Sequence, residues 1–475
     1  MGFEPTVRLP PHLLSREARS TWLRHLSGPD HCSGCSRTRP KELSPTHSSG
    51  PPRWGAAAGR VVLLNVAPAE RIGQTARVSA LFEPATLGPL RLRNRTIKAA
   101  TFEGRTPDGV VSDELIEFHR RMAAGGVAMS TVAYLAVAPE GRTDSGCLVL
   151  DDRTARDLRR LTDAVHSEGA LVAAQLGHAG PVANAASNGV SAIAPGRMFN
   201  PLGLRRTRAA STADLERVIG DFRSAAARAT DAGFDSLEVH LGHNYLPSAF
   251  LSPALNRRHD EWGSTLAGRA RLARRIVEAV RSGAGAHVAV TAKVNMVDGV
   301  RTGLQLDDSL QVARWLQDDG HLDALELTGG SSLANPMYLF KGAAPLREFR
   351  QTLPWYLRGV FRLVGSRFLR TYPYSEAYFL PMARRFREEL TLPLVLLGGI
   401  SEMSTAESAI DGGFDFVAMG RALLHDPNLI NGWFAGTAEA SGCVHCNRCM
   451  PTIYEGTRCP LVDPRPGDRP VVVGA

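Results

Sequence analysis

Apolar positions along the chain change their period in a regular way. Short β-branched or apolar runs occur at Arg95–Thr101, Gly126–Leu135, Ala170–Leu176, Asp235–Leu241, His287–Val294, Leu322–Leu327, Leu392–Leu397 and Phe414–Met419. Between and after them apolar residues recur every three to four positions, around 113–124, 152–167, 212–232, 265–281, 307–319, 376–389, 403–411 and 421–434. The first pattern predicts buried strands and the second amphipathic helices. Strand and helix alternating over about 350 residues call for a parallel sheet, and eight repeats close it into a (β/α)8 TIM barrel. A doubly wound open sheet would want a G-x-G-x-x-G turn after an early strand, and none follows one. The stretch 329–375 is too long for a plain strand-to-helix loop, so it is expected to build part of a pocket or lid.

Three segments follow: a leader over 1–78, the barrel over 79–436, and a cysteine-containing segment with a tail over 437–475. The leader is rich in Pro, Ser, Arg and Gly without a sustained period, the texture of a disordered segment. A start-site artefact, with the protein proper beginning near Val78, is the lesser reading. Its Cys32 and Cys35, next to His31, form a CxxC with no second pair.

Composition changes the picture only through charge. The 475 residues are 44% hydrophobic and 21% charged, an ordinary globular balance, but the net charge of +8 suggests nucleic acid at first. Residues 1–78 hold eleven Lys/Arg and five Asp/Glu, hence +6, which leaves +2 for the other 397. A charge-balanced body excludes a nucleic-acid-binding domain. No stretch approaches the roughly 18 apolar residues of a membrane span, and the start lacks the apolar region of a secretory signal. A cytoplasmic protein with no membrane partner is expected.

In a barrel enzyme the reacting groups come from the C-terminal ends of several strands. Just past each run here stand Thr101, then Gln175 and His178, His240 and His243, Lys293, Gly329-Gly330, Gly398-Gly399 and Gly420-Arg421. His240 and His243 leave the fourth strand three residues apart, a spacing that a turn converges on one point. Two imidazoles can donate hydrogen bonds to a developing oxyanion. Tyr245, with a high intrinsic pKa, suits a proton donor. Glycines after the seventh and eighth strands expose backbone N–H groups, with Arg421 beside them as a phosphate clamp. Lys293 ends an apolar strand and needs an electron-rich partner in the barrel mouth. A metal-dependent hydrolase or lyase would use His240 and His243 as ligands, but no Asp/Glu set lies on the neighbouring strand ends.

Four segments, LFEPATLGPLRLRNRTIKAATFEG, LVAAQLGHAG, GFDSLEVHLGHNYLPSAFLSPALNRRHDEWGS and PLVLLGGI…GFDFVAMGRALLHDP, resemble the old yellow enzyme family of FMN-dependent NAD(P)H:flavin oxidoreductases. That family includes the barrel domain of bacterial 2,4-dienoyl-CoA reductases. The resemblance implies FMN as cofactor, NADH or NADPH as reductant, and a small electrophilic alkene as substrate. It places Ala100 and Thr101 against the flavin, Gln175 at its pyrimidine, Lys293 at N1–C2=O, and Gly398, Gly399, Gly420 and Arg421 at the phosphate. It assigns His240 and His243 to the substrate oxygen and Tyr245 to protonation of the substrate α-carbon. It also implies self-association. A flavoprotein that only relays electrons is the further reading.

Three departures from the pattern stand out. Asn244 replaces the glycine usual before the tyrosine, Phe102 stands where relatives carry Thr or Cys, and 329–375 has no counterpart. Cys443, Cys446, Cys449 and Cys459 lie where the dienoyl-CoA reductase branch ligates a [4Fe–4S] cluster, but with shorter gaps. Iron–sulfur, tetrahedral zinc and metal-free thiols all stay open for these four. The last residues, RPVVVGA, resemble the first strand of the FAD/NAD-binding domain that follows in multidomain relatives.

Overall fold

The structure, a computed structural model, describes residues 79–200 and 205–468. The expectations for the leader 1–78 and for RPVVVGA lie outside the described residues. Eight strands, β1 Thr96–Lys98, β2 Met129–Ala136, β3 Leu171–Gly177, β4 Ser236–Leu241, β5 Ala289–Asn295, β6 Ala324–Thr328, β7 Leu394–Leu397 and β8 Phe416–Met419, close into a parallel barrel in sequence order. Each overlaps one of the eight apolar runs. The helices likewise follow the three-to-four-residue patterns, from Asp113–Ala124 to Met403–Asp411. Their starts are capped by local side chains. Asp151 accepts from the Thr154 N–H, and Ser211 with Asp214 forms a capping box. The last pattern, 421–434, is broken into Arg421–His425 and Leu429–Phe434. Pro427 lies in the break, where its missing N–H and fixed φ interrupt a helix.

Register across the strands sets what points into the barrel. In β4, Leu237, Val239 and Leu241 pack in the main hydrophobic core, while Glu238 and His240 alternate onto the other face. Glu238 is level with Gln175 of β3, His240 with Lys293 of β5, and Lys293 with Glu326 of β6. A band of buried polar side chains therefore crosses four adjacent strands. At the strand-entry end, an antiparallel hairpin, Ala85–Leu87 with Leu90–Leu92, places Leu87 and Leu92 against Ile97, Met129, Ala173 and Phe416. This plug leaves the opposite end for chemistry.

Two segments build over that opposite end. The 329–375 insertion forms helices Met337–Phe340, Leu346–Thr352 and Trp355–Phe368. They share a small core of Met337, Phe349 and Leu369 with Met450 of the C-terminal segment. That segment is tied to the barrel by Ser441 N–H donating to Ser401 O (2.8 Å) and Thr457 N–H donating to Glu103 O (2.7 Å).

Candidate active site

The strand exits, the insertion and the C-terminal segment enclose a cavity of about 540 Å³, within the usual range for a ligand site. All eleven catalytic and cofactor-binding residues expected from the sequence line it: Ala100, Thr101, Gln175, His240, His243, Tyr245, Lys293, Gly398, Gly399, Gly420 and Arg421. The insertion adds Phe340, Phe349, Leu353 and Phe368. A depression of about 620 Å³ on the outer wall is lined by charges already paired with one another, such as Arg274 with Asp319. It holds none of the strand-end groups.

The two histidines meet with ring centres 5.0 Å apart, and the Tyr245 ring stands edge-on to His240 at 4.5 Å. His243 is fixed by its N–H donating to Asn295 Oδ1 (3.1 Å) and by a 3.0 Å hydrogen bond between Nε2 and Thr328 Oγ1. His240 Nδ1 is buried without a protein partner among the described residues, a polar atom aimed at something other than this chain. Burial, with the Lys293 charge close by, lowers the His243 imidazolium to about 3 and holds His240 well below its ordinary range. Both rings are neutral at physiological pH. Burial holds the Tyr245 phenol well above its ordinary range, so it keeps its proton.

The backbone that delivers Tyr245 explains the departure at Asn244. His243 and Asn244 both take left-handed φ values of 61°. Asparagine tolerates that region better than other residues with a side chain, so it occupies a position that glycine fills freely. The turn is kept without the glycine.

Lys293 is sandwiched between two buried carboxylates rather than standing alone in the barrel mouth. Its Nζ lies 3.0 Å from Glu238 Oε1 and 2.9 Å from Glu326 Oε1, the second contact without the alignment of a hydrogen bond. Gln175 Nε2 also donates to Glu238 Oε1 (2.5 Å). One ammonium neutralises one carboxylate, and the second keeps its proton in a dry site. Burial and the Glu238 charge accordingly push Glu326 up to about 8, while the two carboxylates raise Lys293 despite its burial. Glu238 and Glu326 escaped the sequence reading. The i, i+2 spacing of Glu238 and His240 was the available signal, since it puts both on one face of a strand.

A second buried knot pins the cavity floor. Lys98 Nζ donates to Glu103 Oε1 (2.9 Å) and to Thr131 O (3.0 Å), and His119 Nε2 lies 3.3 Å from the same carboxylate. Glu103 accepts from the Ala133 N–H (3.1 Å), next to Tyr134 in the cavity wall.

At the β7 and β8 exits, Gly398 and Gly399 have φ of +102° and +81°, and a Cβ on either would strike Phe379 or Tyr378. Only glycine fits there, which leaves backbone N–H groups facing the cavity without side chains in the way. Arg421 donates from Nη1 to Lys341 O (2.9 Å) and Asn447 Oδ1 (2.5 Å), which fixes its guanidinium over Tyr374. A buried amide and cation on one side, a glycine-lined exit with an arginine on the other, and neutral donors between them match the chemistry of a flavin mononucleotide.

The four cysteines behave differently. Cys449 lines the cavity, Cys459 is buried against the barrel core, and Cys443 and Cys446 are half-buried. Burial pushes the Cys449 thiol up to about 12 and raises Cys443 and Cys459, the setting of protonated thiols. Among the described residues no three His, Cys, Asp or Glu side chains are disposed to hold a metal ion. Cys443, Cys446, Cys449 and Cys459 nonetheless share one neighbourhood, each of Cys443, Cys449 and Cys459 being raised further by the charge of at least one other thiol of the four. The lack of such a trio among the described residues leaves His240 and His243 without the further ligands a metal hydrolase needs.

Because the imidazoles stay neutral, the pH dependence has a definite sign. The unfolded chain takes up protons at His240 and His243 as pH falls through about 6.5, whereas folded His243 does not until near 3 and folded His240 is held well below its ordinary range. Each ring thus contributes stability above pH ~6.5 that is lost on acidification, at up to ~1.4 kcal/mol per pH unit. Removing one of the two rings isolates its share: denaturation free energies measured between pH 7 and 4 should fall less steeply on acidification in His243→Gln than in the parent chain.

Fold and site together define a barrel enzyme of the flavin oxidoreductase class. Residues 80–327 match the model of the NADH:flavin oxidoreductase / NADH oxidase family, and the chain belongs to that family. It is of the old yellow enzyme type. The 4,4'-dithiodibutanoate disulfide reductase of Rhodococcus erythropolis is 55% identical over 82% of this chain and 96% of its own. The multifunctional alkene reductase/demethylase of Caballeronia cordobensis is 28% identical over 79% of this chain, which spans 52% of that protein. A solved 2-naphthoyl-CoA reductase superposes with a TM-score of 0.69 at 23% identity, over 81% of this chain and 57% of the other, a likeness of fold.

Proposed function

We propose that this chain is an FMN-dependent NAD(P)H ene-reductase acting on the C=C bond of α,β-unsaturated carbonyl compounds. The observation that carries the reading is the pair of neutral, buried imidazoles beside a protonated phenol in one cavity. Bound FMN supplies the hydride, taken from NAD(P)H and passed to the substrate β-carbon. His240 and His243 donate hydrogen bonds to the substrate oxygen, where negative charge grows as the β-carbon is reduced. Tyr245 gives its hydroxyl proton to the α-carbon, so hydride and proton add across the double bond. Lys293 and Gln175 hold the pyrimidine edge of the cofactor, Ala100 and Thr101 lie along its ring, and Gly398, Gly399, Gly420 and Arg421 receive its phosphate. Phe340, Phe349 and Leu353 keep water from the reacting atoms. In this reading 79–436 is the FMN-binding barrel, and the described part of the 437–475 segment, up to 468, closes one side of its mouth.

Disulfide reduction is the second reading, favoured by the 55%-identical relative named for that activity. Two electrons then cleave S–S to two thiols, and no carbon needs a proton. The test is anaerobic turnover with NADH or NADPH of 2-cyclohexen-1-one and of 4,4'-dithiodibutanoate. The ene-reductase reading expects the enone to be consumed; turnover of the disulfide alone would replace it with the second. A flavin that NAD(P)H reduces but neither substrate reoxidises would mark an electron relay.

Lys293→Ala leaves Glu238 and Glu326 facing each other without their cation. It is expected to weaken FMN retention on the order of 10- to 100-fold, the worth of one charged hydrogen bond. Flavin absorbance after dialysis against graded FMN measures this, and unchanged retention would remove Lys293 from the cofactor site.

A further inference from the structure

The Trp355–Phe368 helix carries a broad apolar face, only part of which it buries. Leu357, Phe361 and Phe368 turn inward, with the Phe361 ring 5.4 Å from Phe349. Beside them Tyr356, Val360, Leu363 and Val364 follow the i, i+4, i+7, i+8 spacing of one exposed stripe, with Trp355 at the start of the helix. Trp355 is 81% exposed and Leu363 80%. Five of the twelve exposed large hydrophobic residues among those described sit on this one helix. A helix with an exposed apolar stripe and a basic polar side (Arg358, Arg362) has the make-up of an interfacial helix, and nothing among the described residues covers this stripe.

Charge selects the occupant. Residues 341–371 hold six arginines and Lys341 against a single acid, Glu348, a net of +6. That acid is already 3.2 Å from Arg448. Since 79–475 nets +2, the remainder of it nets −4, and the basic charge is concentrated around the exposed stripe. A second copy docking through the same stripe in a twofold interface would set +6 against +6. The leader 1–78, itself +6, is no better a complement. An anionic bilayer answers both features, since it takes apolar side chains at the headgroup boundary and attracts arginines. Trp355 and Tyr356 are residue types that favour that boundary. At 14 residues, about 21 Å long, the helix is too short to span and would lie in the plane of the surface.

We propose that the Trp355–Phe368 helix is an in-plane anchor that seats this barrel on an anionic membrane surface. The expectation of no membrane partner rested on spanning segments alone, and an in-plane helix needs none. Leu353, Pro354 and Phe368 line the cavity, so the anchor and one cavity wall are a single piece of chain, and seating it brings the apolar side of the cavity to the lipid.

The test is co-sedimentation of the FMN-loaded full chain with phosphatidylcholine vesicles and with vesicles containing phosphatidylglycerol. Pelleting is expected with the anionic vesicles, little with the neutral ones, and less at high salt. The surface variant R362Q/R367Q is expected to bind the anionic vesicles roughly 30-fold more weakly, about fivefold for each arginine. V360S/L363S should lose roughly tenfold or more with the buried side chains. None of the four residues lines the cavity, so the flavin spectrum of each variant reports that the fold is intact. Absence of pelleting with anionic vesicles overturns the proposal. Undiminished pelleting of R362Q/R367Q does so too, by moving the binding to another part of the chain. A concentration-dependent dimer that L363S abolishes, without vesicle binding, would assign the stripe to a second copy instead.

Discussion

Tyr245→Phe is expected to slow reduction of an enone by roughly 10²- to 10⁴-fold, the range for loss of a positioned general acid. Reduction of the flavin by NAD(P)H should be unchanged, because that half-reaction needs no proton at carbon. The substitution is a clean one. The Tyr245 ring packs edge-on to His240 at 4.5 Å and to Tyr134 at 5.4 Å, and phenylalanine keeps both contacts. Only the hydroxyl is lost, and burial keeps that hydroxyl protonated. Tyr134 is no substitute donor, since its hydroxyl is spent on Gly141 O (2.8 Å). Stopped-flow measurement of the two half-reactions separately is the check. Equal losses in both would show that Tyr245 acts on the fold of the cavity and not as an acid. With 4,4'-dithiodibutanoate as oxidant the same variant should be nearly unimpaired, so one protein distinguishes the two chemistries.

Glu103→Gln is expected to destabilise the protein by about 3–5 kcal/mol, the usual consequence of removing one partner of a buried ion pair. Lys98 and Glu103 are almost fully buried (1% and 2% exposed), and the carboxylate is shared by Lys98, His119 and the Ala133 N–H. The amide has the same shape but no charge, so the Lys98 ammonium is stranded in an apolar setting. Adding Lys98→Met should recover much of the loss, because neither charge is then buried alone. Urea denaturation of the two variants measures both effects. A loss within the ~1 kcal/mol of a surface pair would show that the knot is solvated. Because Glu103 also holds the backbone beside Tyr134, both variants should release flavin more readily than the parent chain.

The eight strands and most helices were legible in the chain because both signals are local: a short apolar run bounded by glycine or polar residues, and a three-to-four-residue repeat opened by a cap such as Asp151 or Ser211. Pro427 was a readable stop within the final repeat. The hairpin at 85–92 carried a Gly88-Pro89 turn signal, but its role as a plug depends on seven strand starts it meets only after closure. The expected site residues were legible for a related reason. Chemistry in a barrel gathers at strand exits, and those exits can be counted along the sequence. The four cysteines show the limit, since their spacing along the chain leaves their burial unread, and it is burial that raises the Cys443, Cys449 and Cys459 thiols.

Sequence alone thus determined the fold class, the family and which side chains leave the strands at the reacting end, since each of these is written in spacing within one segment. Tertiary structure decided the electrostatic state of the site. Glu238, Lys293 and Glu326 become one buried group only because β4, β5 and β6 pair in a register that sets residues 55 and 33 positions apart side by side. The neutrality of His240 and His243, and the apolar stripe left uncovered on the Trp355–Phe368 helix, have the same origin. Burial and register belong to contacts between segments, and no period along the chain encodes which segments will meet.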